Sequence, residues 1–483
     1  MSAQISSRTA LRASQDDRTT RCTINMTFIV LLLSISLHFF NYAICFPVIT
    51  FYVVNVVSEE NHYNLSASHP CSNVNATHHK EEMELQQKVT EIMTPNPFIS
   101  FFPGLIPTLL LGPLLDRLGR KIGFLIPMIG TLVKQIIYLV VLCKKLPVRI
   151  MFIGNGIEGL TGGFATMLMA SFVMVADLTL PGRDRTLRIS IAEGTQAIWT
   201  SLGGFGTGFG IKYLGFRNCV IIALVLNVVN IILTTTLLPE TLHVRVRTSC
   251  CAILKNIKKC FVFYCQDTED RRQLKLNLGM IAFILTVAVN FSKPGIMSTY
   301  LIKPKLCWDQ EKVNIVLAGK VIVYWLVILC CMPVFQRVLG MEDRTIGIVG
   351  CVSSIAACFI MSFATNDNIV YAVLGTGVFI RLTIPMLRSI MSGSVRQDEQ
   401  GALYAGMGCV EMVCAAVMGT LTMMLYHATV SSYPDTVFLV MGCVMLVVLF
   451  IFIILNVYSR RSSAILEGYT RLDGSDSDHR IVN

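Results

Sequence analysis

Ionisable side chains interrupt the long apolar stretches of this chain, and they are the residues best able to do chemistry. The acids are Glu158, Glu193 and Glu411; the bases are Lys134, Lys293, Lys320, Arg381 and Arg388; His38 joins them. Such a group costs about 3 kcal/mol or more in hydrocarbon unless it is paired or faces a water-filled cavity. Each therefore needs a counter-charge, a cavity, or a span end to snorkel from. A carboxyl among apolar neighbours favours its neutral form and can take a proton from an acidic compartment, which is how solute movement couples to a proton gradient. Glu193 is the best-placed acid, with Glu158 and His38 as further candidates. Cations outnumber acids, so a cavity that they line favours an organic anion or zwitterion, with Arg388, Lys320, Lys293 and Glu411 as candidate contacts. The plainer reading makes some of them structural pairs, or, for Lys293 and Arg381, groups near span boundaries. No His-Glu-x-x-His, phosphate loop, Gly-x-Ser-x-Gly or paired Cys-x-x-Cys is present, so no enzyme, cofactor or metal site is expected. His62, His69, His78 and His79 lack ligand spacing and read as a solvated, pH-sensing loop.

The elements that must hold these groups are membrane helices. The 483 residues are 53% hydrophobic and 14% charged, with mean hydropathy +0.63; soluble domains carry about 25% charge. Twelve apolar windows, each long enough for about 30 Å of hydrocarbon, fall at 26–57, 97–115, 122–142, 150–176, 189–211, 219–238, 276–302, 312–335, 345–365, 369–391, 400–426 and 437–458. They are numbered spans 1 to 12 here. The first is too long for a signal-peptide core and reads as a retained span. Two six-helix halves, 26–238 and 276–458, flank a basic central loop at 239–275, with tails at 1–25 and 459–483.

Loop charge places both tails in the cytosol, so the net charge of +10 reflects topology and gives no reason to invoke nucleic acid. The long first loop, 58–96, is then non-cytosolic, and it carries the glycosylation sequons at Asn64 and Asn75. Those at Asn25 and Asn290 fall at or inside spans, where no glycan is expected. Of the 17 cysteines, Cys71 and Cys307 lie in loops on the oxidising side. A disulfide between them would tie the halves; Cys143 is the rival partner near that face.

Between spans 2 and 3 stands GPLLDRLGRK, Gly112 to Lys121, which predicts a tight loop at the membrane surface. Gly112 and Gly119 permit close approach of helix ends. Asp116 can take a helix N-terminus or an arginine, and Arg117, Arg120 and Lys121 suit a cytosolic face. The cluster resembles the cytosolic gate of the major facilitator superfamily. MPVFQRVLGM, Met332 to Met341, echoes it after span 8, with Gln336 in the place of Asp116. Glycine pairs at Gly159/Gly163 and Gly204/Gly208 predict close helix contacts. The central loop reads as a basic amphipathic helix, in which Cys250 and Cys251 are palmitoylation candidates beside the plainer linker reading. The C-terminal tail reads as disordered, and within it Tyr469 and Leu472 of GYTRL have the form of a clathrin-adaptor sorting motif.

Five stretches together resemble the solute carrier 46 family, which includes the proton-coupled folate transporter: GPLLDRLGRK, RTLRISIAE at 185–193, KLCWD at 305–309, PMLRSIMS at 385–392 and VRQDEQGAL at 395–403. The resemblance runs from span 1 to span 12 and implies an all-α major facilitator fold. It also implies roles. Glu193 matches a carboxylate used in proton coupling, Arg388 an arginine of substrate and proton binding, Asp116 the loop acid, and Cys71 with Cys307 a family disulfide. Asn290 stands where the folate branch has a span 7 histidine, which puts folate in doubt as the solute. Glu411 and GYTRL resemble the lysosomal branch, whose solutes are peptidoglycan fragments and amphipathic conjugates. The expectation is a secondary active transporter in a lysosomal, endosomal or plasma membrane. It would be coupled to protons and carry an organic anion or zwitterion (folate-like, muropeptide or conjugate) toward the cytosol. The alternatives are a proton-independent facilitator and a non-transporting receptor with this fold.

Overall fold

Hydrocarbon satisfies no backbone N–H or C=O, so a chain this apolar spans a membrane as helices. The computed structural model is helical, with no strand among the described residues. The described backbone covers residues 2–61, 84–85, 88–89, 91–180, 182–241, 272–302, 306, 308, 310–396, 399–429, 433 and 435–478. Within it, side chains at 2–23, 112–113, 116–118, 459–478 and scattered positions between 294 and 328 lie outside the description. Cys71, Cys307, Asn64, Asn75, Cys250, Cys251 and the loop histidines fall outside the described residues, as do the side chains of Asp116, Arg117, Tyr469 and Leu472.

Among the described residues ten helices are long and apolar enough to cross a membrane. They differ from the twelve windows in two places. Spans 5 and 6 form one run, Arg183–Leu237, bent where Gly215 takes φ 78°. Span 2 is divided into Pro95–Phe101, a 3-10 turn Phe102–Gly104 and Leu105–Leu118, so no piece is long enough alone. Pro103 has no N–H to continue the α ladder, which accounts for that break. Span 4 is likewise broken between Arg149–Leu160 and Gly163–Asp177, where Gly162 and Gly163 hold φ 82° and 42°. Span 10 breaks at the 3-10 turn Ile380–Leu382. The span 12 helix continues through Asp478, where composition predicts a disordered tail. A helix already nucleated by a span extends with one new hydrogen bond per added residue.

Glycine sets the closest helix contacts. A Cβ on Gly203 would stand 2.5 Å from the Phe40 carbonyl oxygen, so span 5 meets span 1 backbone to side chain-free backbone. On Gly159 it would stand 2.6 Å from the Ser100 oxygen of span 2. The Gly204/Gly208 expectation fails, because neither position has a neighbour within 4 Å. The contact face passes through Gly203, and the adjacent glycines point away from it. A buried apolar cluster runs across both halves, from Phe39 and Phe172 to Phe283 and Trp325. Phe46 and Phe450, more than 60% exposed, face outward, as suits hydrocarbon.

Candidate functional site

Spans 5, 10 and 11 bring three of the expected residues to one point between the halves. Arg388 donates from Nη1 to Glu193 Oε1 and from Nη2 to Glu411 Oε1. All three are buried, at 3%, 3% and 6% exposure. The 3-10 turn before Thr383–Ser392 restarts span 10, and Pro385 sits in the first turn of that helix, where a missing N–H costs little. Arg388 follows on the next stretch, its guanidinium 4.3 Å from the Phe172 ring centre and 5.6 Å from that of Phe283. These faces hold the plane in place by cation–π attraction while its two ends serve different carboxylates. Two carboxylates against one guanidinium leave one negative charge unbalanced, and a single proton restores neutrality. Glu193 belongs to the first half, while Arg388 and Glu411 belong to the second, so one of the two bonds crosses the interface.

The remaining intramembrane charges form two other groups. Lys134 Nζ lies 2.6 Å from Glu158 Oε2, and Thr131 donates to Glu158 Oε1 at 2.8 Å. Lys134 also stands 4.9 Å over the Tyr42 ring, against which His38 stacks. His38 is fully buried and both of its ring nitrogens lack a partner. Thus Glu158 and His38 join each other's surroundings within the first half, and the structure does not bring them to Glu193. Lys293, Lys320 and Arg381 gather in the second half, with Lys293 Nζ 3.1 Å from Ser354 Oγ. Asn290 donates to the Thr286 carbonyl at 2.9 Å and so serves its own helix.

The 112–121 motif is less of a loop than its sequence predicts. Helix continues to Leu118, and only Gly119, Arg120 and Lys121 turn before Ile122. Gly119 takes φ 117°, and a Cβ there would lie 2.3 Å from Glu240 Oε2. Only glycine fits both constraints. Arg120 pairs with Asp177 at 2.7 Å, and its backbone N–H donates to Glu240 at 2.7 Å. Beside this, the halves join through Asp343, whose Oδ2 accepts from Thr186 at 2.6 Å and Ser389 at 2.7 Å. Gln336 donates to its Oδ1 at 3.3 Å. Arg185 donates to Ser392 at 3.1 Å, and Arg183 to the Gly340 carbonyl at 3.0 Å. Sequence reading missed Asp177, Glu240 and Asp343. Their signal was available: each is an acid at a span end on the same face as the 112–121 motif.

The family model of the Major Facilitator Superfamily matches residues 31–249. The lysosomal proton-coupled steroid conjugate and bile acid symporter of Gallus gallus is 24% identical over 86% of this chain and 90% of its own length. The proton-coupled folate transporter of Bos taurus is 26% identical over 80% and 83%. The chain is thus similar, over most of its length, to members of the solute carrier 46 family, and over residues 31–249 to the major facilitator superfamily. The fold agrees with solved structures. The human organic anion transporter MFSD10 superposes with a TM-score of 0.65, at 12% identity over 89% of this chain and 99% of that one. The E. coli fucose:proton symporter FucP gives 0.63, at 11% identity over 88% and 98%. These relatives are transporters by name, and the chain is a multi-pass membrane protein.

Proposed function

We propose that this protein is a member of the solute carrier 46 family and a proton-coupled secondary transporter that moves an organic anion or zwitterion toward the cytosol by alternating access. The observation that carries this reading is the fork of Arg388 between Glu193 and Glu411. With both carboxylates ionised, Glu193 is bonded across the interface and the halves are held together at that point. A proton on Glu193 removes the charge that Arg388 binds and balances the remaining Arg388–Glu411 pair. Loading is therefore tied to release of one half from the other. In the orientation given by loop charge, Arg120–Asp177, Glu240 and Asp343 form the cytosolic gate. The gate is closed in this conformation by the Thr186–Asp343–Ser389 bonds.

The named substrates of the relatives, steroid conjugates, bile acids and folate, are organic anions. An acidic lumen on the non-cytosolic side supplies the driving protons, which favours an endosomal or lysosomal membrane, with Tyr469 and Leu472 as the adaptor contact. On the same reading, a Cys71–Cys307 disulfide and glycans at Asn64 and Asn75 are expected on the non-cytosolic side. The test is uptake with and without a protonophore, together with Glu193→Gln. Acid-stimulated uptake that the protonophore collapses and the substitution abolishes supports coupling. Uptake indifferent to both points to a facilitator.

A further inference from the structure

The two halves hold comparable crevices between their helices, and these differ in charge balance. Spans 1 to 4 enclose about 50 Å³ lined by Tyr42, Lys134, Tyr138, Asn155 and Glu158. There the single cation is matched by the single acid, at 2.6 Å. Spans 7, 8, 9, 10 and 12 border a partly open crevice of about 40 Å³ lined by Lys293, Lys320, Tyr324, Cys358 and Phe438 among others. Lys293 reaches Ser354, and Lys320 Nζ lies 5.9 Å from the Tyr324 ring centre. Arg381 follows the lining residue Ile380, and its charge acts on both lysines.

No carboxylate answers these three cations among the described residues. The neighbouring acids are engaged elsewhere: Glu411 with Arg388, Asp367 with Lys312 and Trp308, Asp435 with Tyr300, and Asp343 with Thr186 and Ser389. Uncompensated cations at membrane depth are costly, and the first half shows how this fold balances such a crevice, with an internal acid.

We infer that the crevice of the second half is a binding site for a compact inorganic anion of halide size, chloride being the first candidate. Its volume exceeds the roughly 10–15 Å³ that one water-sized occupant needs, so an ion of that size has room there. Donors are at hand in the Lys293 and Lys320 ammonium groups, with the Ser354 and Tyr324 hydroxyls beside them. The site lies inside one half, among spans 7 to 10 and 12, apart from the Arg388 fork at the interface. The ion is a resident counter-charge for the second half, where Glu158 does the equivalent work in the first. This assignment stands or falls independently of proton coupling.

Purified full-length protein is titrated with sodium chloride against sodium gluconate at constant pH and ionic strength, reading both Tm and binding of radioactive chloride. Saturable chloride binding and a Tm that climbs with chloride and then levels off are expected, with no response to gluconate. Lys320→Met should raise the half-saturating chloride concentration about tenfold or more. Cys358→Asp places a carboxylate beside Lys293 and should make Tm independent of chloride. Absence of saturable chloride binding to the unsubstituted protein, a measurement that requires no variant, overturns the assignment. So does a Lys320→Met protein that titrates as the original does. Displacement of bound chloride by a transported organic anion would also overturn it, because the crevice would then belong to the cargo.

Discussion

At the residue scale, Arg388 makes Glu193 and Glu411 unequal although both touch it. Glu193 bonds across the halves and Glu411 bonds within one of them. Glu193→Gln should abolish acid stimulation of uptake while the protein still reaches its membrane, as measured by surface labelling and tracer flux. Glu411→Gln has a different effect. It leaves Glu193 and Arg388 as a balanced pair, so protonating Glu193 becomes harder, and acid stimulation should persist but move to lower pH in a pH titration of uptake. Arg388→Lys should fail to restore function, since a point ammonium cannot fork two carboxylates on opposite sides; transport below a tenth of the original rate (about 1.4 kcal/mol) is the expected reading. Sequence alone made all three residues candidates, because charge inside an apolar run is conspicuous. Their meeting was hidden, since three helices contribute to it and Glu193 stands 195 residues from Arg388. The same reasoning separates His38 from this role: it is legible as an intramembrane histidine, yet its neighbours are Tyr42 and Lys134.

At the scale of the helices, glycine and acid positions decide how the spans meet. The Gly-x-x-x-Gly pattern correctly indicated that span 5 makes a close approach, but it selected the wrong face. Gly203 meets Phe40, while Gly204 and Gly208 have no neighbour within 4 Å. A one-residue error rotates a helix face by about 100°, so spacing identifies a candidate stripe and only packing identifies the side. Gly203→Leu should therefore destabilise the protein by roughly 1–3 kcal/mol or more through overpacking against span 1, read as a fall in Tm. Gly208→Leu should leave Tm nearly unchanged. Asp177, Glu240 and Asp343 went unread for another reason: their signal, an acid at a span end on the face of the 112–121 motif, is easily passed over because acids at helix ends are ordinary. Asp343→Asn removes the charge that Thr186, Ser389 and Gln336 share. It should shift the population toward the gate-open state, measured as faster thiol labelling of Ser394→Cys on that face.

At the scale of the molecule, the two halves are joined at two levels. The Arg388 fork lies at membrane depth, and the Asp343 contacts lie at the 112–121 face. Alternating access requires that these levels open in turn, and the proton on Glu193 is the event that separates them in this account. Hydropathy made the helical membrane fold legible from composition onward, because the bilayer allows so few alternatives. Breaks within spans 2, 4 and 10 were less legible, although Pro103, Gly162 with Gly163, and Gly377 mark where they fall. The central claim is that Glu193 carries the coupled proton, and the direct measurement is tracer uptake of an anionic steroid conjugate at about pH 5.5 and about pH 7.4. Protein carrying Tyr469→Ala would be compared with and without Glu193→Gln, at matched surface levels. Acid-stimulated uptake that the substitution reduces to a low rate equal at both pH values is the expected result. Uptake that remains acid-stimulated in the Glu193→Gln protein would contradict it.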